Sequence, residues 1–154
     1  MRDCLAPYPD RFRFEPLPRA TLDDRHQTLL RLQPSYLHIL NHGDASTLLF
    51  QDSSGDAHPV PRAALLRTFA SVPALRCVIL SACESAANLT ALGPGMPPVI
   101  AMRAAISSEA ARAFAQGFYD AVAAGRDPRS AWIAGCDRMR LTGAGDADVP
   151  VFLE

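Results

Sequence analysis

The chain has 154 residues, of which 49% are hydrophobic and 20% charged, and its formal net charge is −1. This length is sufficient for a single domain over residues 1–154 with its own hydrophobic core. A charge so close to neutral favours neither nucleic acid nor an anionic membrane as a partner. Since the sequence has no apolar run long enough to span a bilayer and no signal-peptide pattern, we expect a cytoplasmic protein.

The four cysteines are Cys4, Cys77, Cys83 and Cys136. They are widely spaced and form no CxxC pair, which argues against a zinc site and against a disulfide framework. We therefore predict that the protein uses no metal and no cofactor.

The predicted elements alternate between helix and strand. Residues 11–16 alternate polar and apolar side chains, which is typical of a short edge strand. A helix follows, with Thr21 as its N-cap and Pro34 after its end. The later patterns predict a strand at 36–40, a hairpin at 46–60, a helix at 61–71, a strand at 75–82, a helix at 84–92, a strand at 98–103, helices at 108–124 and 128–141, and a strand at 149–153.

This order indicates an α/β fold with a mainly parallel sheet and helices on both faces. Reactive groups in such sheets lie beyond the carboxyl ends of the strands. Two predicted strands end in such groups: His42 and Gly43 follow the strand at 36–40, and Cys83 follows the strand at 75–82. If these strands are neighbours, their ends bring the three residues together.

A cysteine thiolate attacks a carbonyl, and a nearby imidazole exchanges protons with the thiol and the leaving group. The resulting oxyanion needs N–H donors, for which the amides of Gly43 and Cys83 are candidates. A helix that begins at Glu84 would lower the pKa of the Cys83 thiol further. His38, inside a strand, is better explained as a buried hydrogen-bonded residue than as a second base.

The segments "LHILNHGD", "VILSACESA" and "VIAMRAAISSEAARAFAQGFYDAVAAGRDPRSAW", in this order and spacing, resemble the CHAT family over about residues 21–153. These proteins are caspase-like peptidases of the caspase–separase clan. The resemblance implies a three-layer caspase-like fold, with Cys83 as the nucleophile, His42 as the catalytic histidine and Gly43 in the oxyanion hole. It further implies a protein or peptide substrate and a role in bacterial signalling or defence.

Two features depart from the family pattern. Asn41 stands where a smaller residue usually precedes the histidine. The family usually has an extra strand and helix ahead of the segment that begins at Arg11, and here only about ten residues precede that segment. Either the domain is trimmed, or the gene is shortened, or a segment of an activating or complementing protein partner supplies the missing layer. A missing strand would leave an open sheet edge, which favours pairing with such a partner.

Three further residues are candidates for substrate binding. In this clan the residue two before the nucleophile tends to line the pocket for the side chain that precedes the cut, and here it is Ser81 rather than an acid. A preference for basic residues is therefore not expected. Arg103, at the end of a predicted strand, favours an acidic or polar residue in the peptide, and Glu84 is placed to bond a substrate amide. The alternative function is a catalytically silent or partner-dependent pseudo-peptidase that acts as a protein-interaction module.

Overall fold

A computed structural model of the chain describes residues 12–18, 20–44, 46–82, 84–87 and 92–154. Cys83 lies outside the described residues. The strands are β1 (Tyr36–Leu40), β2 (Thr47–Gln51), β3 (Ala57–Pro61), β4 (Cys77–Ser81), β5 (Val99–Met102) and β6 (Pro150–Leu153). The helices are α1 (Leu22–Leu32), α2 (Arg62–Ala70), α3 (Ser108–Ala123) and α4 (Pro128–Thr142).

The described strands form a four-stranded sheet in the order β1-β4-β5-β6 and a separate hairpin of β2 and β3. Strands β1, β4 and β5 run parallel, whereas β6 is antiparallel to β5. Leu40 pairs with Ser81 in the last register position of β1 and β4. The carboxyl ends of these two strands therefore lie side by side, as the sequence predicts.

Apolar side chains cover both faces of the four-stranded sheet. On one face, Ile79 and Ile100 pack with α3 and α4, where Phe114 and Phe118 are buried. On the other face, Leu80 packs with α1, α2 and the β2–β3 hairpin. Burying each such side chain contributes about 2 kcal/mol. The predicted three-layer α/β fold, with helices on both faces of a mainly parallel sheet, is confirmed.

The helix boundaries follow the capping signals. Thr21 and Asp24 form a capping box at α1, and Ser107 accepts a hydrogen bond from the amide of Ala110 at α3. Asp127 accepts from two amides at the start of α4, which ends at Gly143 in the left-handed conformation. Within the described ranges, no helix is long and apolar enough to cross a membrane.

Two predicted elements are wrong. Residues 12–16 form no strand, although Phe12 packs against the core; Arg11 lies outside the described residues. The predicted helix at 84–92 is a turn over residues 84–87, and residues 88–91 lie outside the described residues. Glu84 adopts a left-handed conformation with φ of 53°, which does not start a right-handed helix. The helix-dipole explanation for an activated Cys83 therefore has no support.

Candidate active site

His42 lies in the loop that joins β1 to β2. Its carbonyl accepts a hydrogen bond of 2.8 Å from the amide of Leu49, while its side chain is exposed. The side-chain amide of Asn41 donates to the carbonyl of Leu49 at 2.7 Å. These bonds fix the backbone on both sides of the imidazole and leave the ring open to solvent. We call residues 41–44 the His42 loop.

Gly43 pairs with Leu48 at the tightest point of this connection. A Cβ at Gly43 would lie 2.6 Å from the carbonyl oxygen of Thr47, so no larger residue fits without moving the backbone. The two hydrogen bonds that close the pair come from the amides of Asp44 and Leu49. The N–H of Gly43 takes no part in either bond, and in pairs of this kind it points away from the partner strand.

Asp44 closes the same loop through its carboxylate, which accepts hydrogen bonds from the amides of Ser46 and Thr47 at 2.7 and 2.8 Å. It also accepts from both of their hydroxyl groups. These bonds favour the charged form and lower the pKa of Asp44 to about 2. The ionised carboxylate of Asp44 therefore stabilises the His42 loop.

The turn after Cys83, residues 84–87, is anchored to the sheet by Ser85, and we call it the Glu84 turn. The fully buried hydroxyl of Ser85 donates to the carbonyl of Leu80 and accepts from the amide of Met102, both at 2.8 Å. The amide of Ala86 donates to the carbonyl of Met102 at 2.9 Å. The turn is therefore bonded to both β4 and β5.

Ser85→Ala is expected to lower the free energy of unfolding by about 2 kcal/mol, because it leaves a buried carbonyl and a buried amide without partners. Urea denaturation of the variant and of Ser71→Ala, whose hydroxyl is on an exposed helix end, measures the difference. Equal stability of the two variants would contradict this role of Ser85.

His38 and Ser81 form a hydrogen-bonded network near the carboxyl ends of β1 and β4. The Nε2 atom of His38 lies 2.8 Å from the hydroxyl of Ser81, and Nδ1 lies 3.2 Å from the hydroxyl of Tyr119 on α3. Burial disfavours the charged ring and lowers the pKa of His38 to about 4. His38 is a hydrogen-bonded strand residue, as the sequence predicts, although its ring is only partly buried. It is the hydrogen-bond partner of the Ser81 hydroxyl.

The stability of the protein is expected to fall as pH drops from 6.5 to about 4. In this range the unfolded chain protonates His38, whose reference pKa is 6.5, and the folded chain does not. The expected loss is about 2 kcal/mol, less than the full shift implies because the ring is only partly buried. Urea denaturation between pH 7 and 4.5 measures the slope, which His38→Gln is expected to reduce. An unchanged slope in this variant would rule out His38 as its source.

Arg103 follows β5 and lines an open groove of about 790 Å³. The groove extends from Ala86 and Ala87 in the Glu84 turn to Trp132 and Arg140 on α4. Arg140 forms an ion pair with Asp148 at 3.3 Å, whereas Arg103 is exposed and has no ion-pair partner within the described part of the chain. The groove therefore carries an excess of positive charge beside the turn.

Residues 8–133 match the family model of the CHAT domain, a range that includes His42 and Cys83. The chain belongs to the CHAT-domain family. This confirms the resemblance, and the CHAT family is associated with caspase-like peptidase function. No curated protein matches the chain.

Of the candidate site residues, the structure describes His42, Gly43, Ser81, Glu84 and Arg103. The sequence analysis missed two other groups that hold the surrounding backbone. Nothing in the sequence indicated the buried hydrogen bonds of Ser85, because a serine is common in the turn after a strand. Nothing indicated those of Arg62, the first residue of α2, because a charged residue at a helix start is usually solvated.

Proposed function

We propose that this CHAT-domain chain is a cysteine endopeptidase that cleaves a protein partner through a dyad of Cys83 and His42. The observation that supports this most is the parallel pairing of β1 with β4, because His42 and Cys83 follow these two adjacent strands. The orientation of the Gly43 amide, away from β2, supports an oxyanion hole shared with the amide of Cys83.

In the proposed reaction, the Cys83 thiol passes its proton to His42 and the sulfur attacks the carbonyl carbon of the substrate. A C–S bond forms, and the carbonyl oxygen becomes an oxyanion. His42 then donates a proton to the leaving amine as the peptide C–N bond breaks. His42 next takes a proton from water, which attacks the thioester and releases the carboxylate product and the Cys83 thiol. No metal or cofactor takes part in these steps.

The proposed substrate is a peptide segment with an acidic or polar side chain near the cut. Arg103 supplies an exposed cation in the groove beside the Glu84 turn. Glu84 is exposed next to Cys83 in the chain and would accept a hydrogen bond from a substrate amide. Ser81 would line the pocket with its hydroxyl held by His38.

Arg103→Ala is expected to raise the KM for peptides with an acidic residue near the cut by about tenfold, through loss of one charge contact. Arg103→Ala should cleave peptides with a neutral residue at that position at the wild-type rate. Arg103→Lys should cleave both kinds of peptide as the wild type does. An unchanged cleavage pattern in Arg103→Ala would remove Arg103 from the specificity site.

The test of the proposed function is incubation of the protein with a mixture of unstructured peptides, followed by mass spectrometry of the new termini. New termini that appear with the wild type and disappear with Cys83→Ala are expected. Cys77→Ala, which changes a buried thiol on β4 outside the Arg103 groove, should retain cleavage. If Cys83→Ala and the wild type give the same peptides, the chain is the interaction module of the alternative hypothesis.

The biological setting is also part of the proposal, and the family resemblance supports its signalling or defence role. It is a role in bacterial signalling or defence, in the cytoplasm, in which an activating or complementing protein partner controls the cleavage.

A further inference from the structure

Arg62 is the only charged side chain that is buried among the described residues, with 5% of its surface exposed. It is the first residue of α2, directly after the hairpin strand β3. Its backbone amide donates to the carbonyl of Ser46 at 2.9 Å. The helix start is thereby bonded to the segment that follows the His42 loop.

The guanidinium group of Arg62 connects the His42 loop to the Glu84 turn. It donates to the carbonyl of Asp44, two residues after His42, at 2.7 Å. It donates also to the carbonyls of Ala87 and, at 3.4 Å, Glu84. One side chain therefore bonds the backbone that follows the candidate base and the backbone that follows the candidate nucleophile.

The charge of Arg62 is compensated mainly by backbone carbonyl groups rather than by a carboxylate. Within the described part of the chain, no carboxylate lies at ion-pair distance, and the buried Nε has no hydrogen-bond partner. Burial lowers the pKa of Arg62, and the carboxylate of Asp44 opposes this effect from a greater distance. Replacement of buried charged groups by apolar side chains of similar volume is often neutral or stabilising, so a buried cation is weak evidence for a role in stability. The bonds of Arg62 to carbonyls on both segments indicate instead a role in fixing the two segments.

We propose that Arg62 is a positioning residue that holds the His42 loop and the Glu84 turn in one fixed arrangement. This inference deepens the proposed function and rests on it, because the purpose of the arrangement is to align His42 with Cys83. The planar guanidinium suits the task, since its several donors reach different carbonyls at once, which a lysine ammonium on a flexible stem does not match.

The test compares Arg62→Met and Arg62→Lys with Arg67→Met, a control that removes an exposed arginine from the same helix. Amide hydrogen exchange is followed in the His42 loop, in the Glu84 turn and in β4 and β5. The rate of Cys83 alkylation by iodoacetamide is followed against pH. Exchange reports on the positioning, and alkylation reports on the chemistry that depends on it.

Arg62→Met is expected to raise exchange about tenfold in both segments while β4 and β5 keep their protection. It should slow Cys83 alkylation near neutral pH about tenfold, with Arg62→Lys between it and the wild type and Arg67→Met unchanged. Faster exchange in one segment only, or in neither, would overturn the proposal. If Arg62→Met does not fold, the result for Arg62→Lys decides. Wild-type exchange rates in both segments of Arg62→Lys would also overturn the proposal.

Failure of the proposed function gives a different result. In that case the wild type and His42→Ala both show the same slow alkylation of Cys83. The exchange rates still decide whether Arg62 holds the two segments together.

Discussion

His42→Ala is expected to reduce kcat/KM for peptide cleavage by a factor on the order of 10³, because the variant has no group to exchange protons with the thiol and the leaving amine. The fold should be unchanged, since the imidazole is exposed and the loop is held by backbone bonds of His42 and its neighbours. Rates from a cleaved peptide, measured by mass spectrometry or fluorescence, give the factor.

The matched control is His26→Ala, which removes another exposed imidazole, on α1. It should cleave at the wild-type rate. A His42→Ala variant that remains within a factor of about three of the wild type would exclude His42 as general acid and base.

Gly43→Ala is expected to reduce kcat by about 10²-fold and to lower the free energy of unfolding by about 2 kcal/mol. The added methyl group would lie 2.6 Å from the carbonyl oxygen of Thr47, so the backbone must move and the Gly43 amide must turn from its present direction. Steady-state kinetics and urea denaturation of the same preparation measure both effects.

Gly93→Ala is the control, because a methyl group there meets no atom of the described residues within 4 Å. It should leave both quantities unchanged. If Gly43→Ala loses stability but keeps the wild-type kcat, the glycine serves only the tight β1–β2 connection and donates no hydrogen bond to an oxyanion.

The fold was largely predictable because its strands are short apolar runs and most of its helices begin at clear N-cap residues. Asp127 and Pro128 marked the start of α4, Ser107 that of α3, and the run Cys77–Leu80 marked a strand buried on both faces. These local signals agree with the tertiary contacts, so the elements formed where the sequence places them.

One of the two errors occurs where local pattern and tertiary contacts conflict. The segment 84–87 has the composition of a helix start, but Ser85 bonds to Leu80 and Met102 in the sheet instead of to its own turn. Residues 12–16 alternate like a strand, yet they form none. In the first case the bond to Met102, 17 residues away, is one that no single-sequence pattern reports. The structure gives no physical reason for the absence of a strand at 12–16.

The positions of His42 and Gly43 were predictable from the sequence, whereas the hydrogen bonds that hold the backbone around them were not. His42 and Gly43 lie at a strand end, as their positions after an apolar run indicate. The bonds of Arg62 to Asp44 and of Ser85 to Met102 join segments that lie 18 and 17 residues apart in the sequence. Their importance becomes visible only when the pairing of β1 with β4 brings the two segments together.

The measurement that tests the catalytic dyad most directly needs no substrate. Alkylation of Cys83 by iodoacetamide is followed from pH 5.5 to 9, by peptide mass mapping, in the wild type and in His42→Ala. Cys77 and Cys136 are internal references, because burial raises their pKa values to about 12 and about 11. A dyad predicts rapid labelling of Cys83 well below pH 8 in the wild type and at least a tenfold loss in His42→Ala. Slow labelling that follows an ordinary thiol pKa of about 8.5 in both proteins would contradict the dyad.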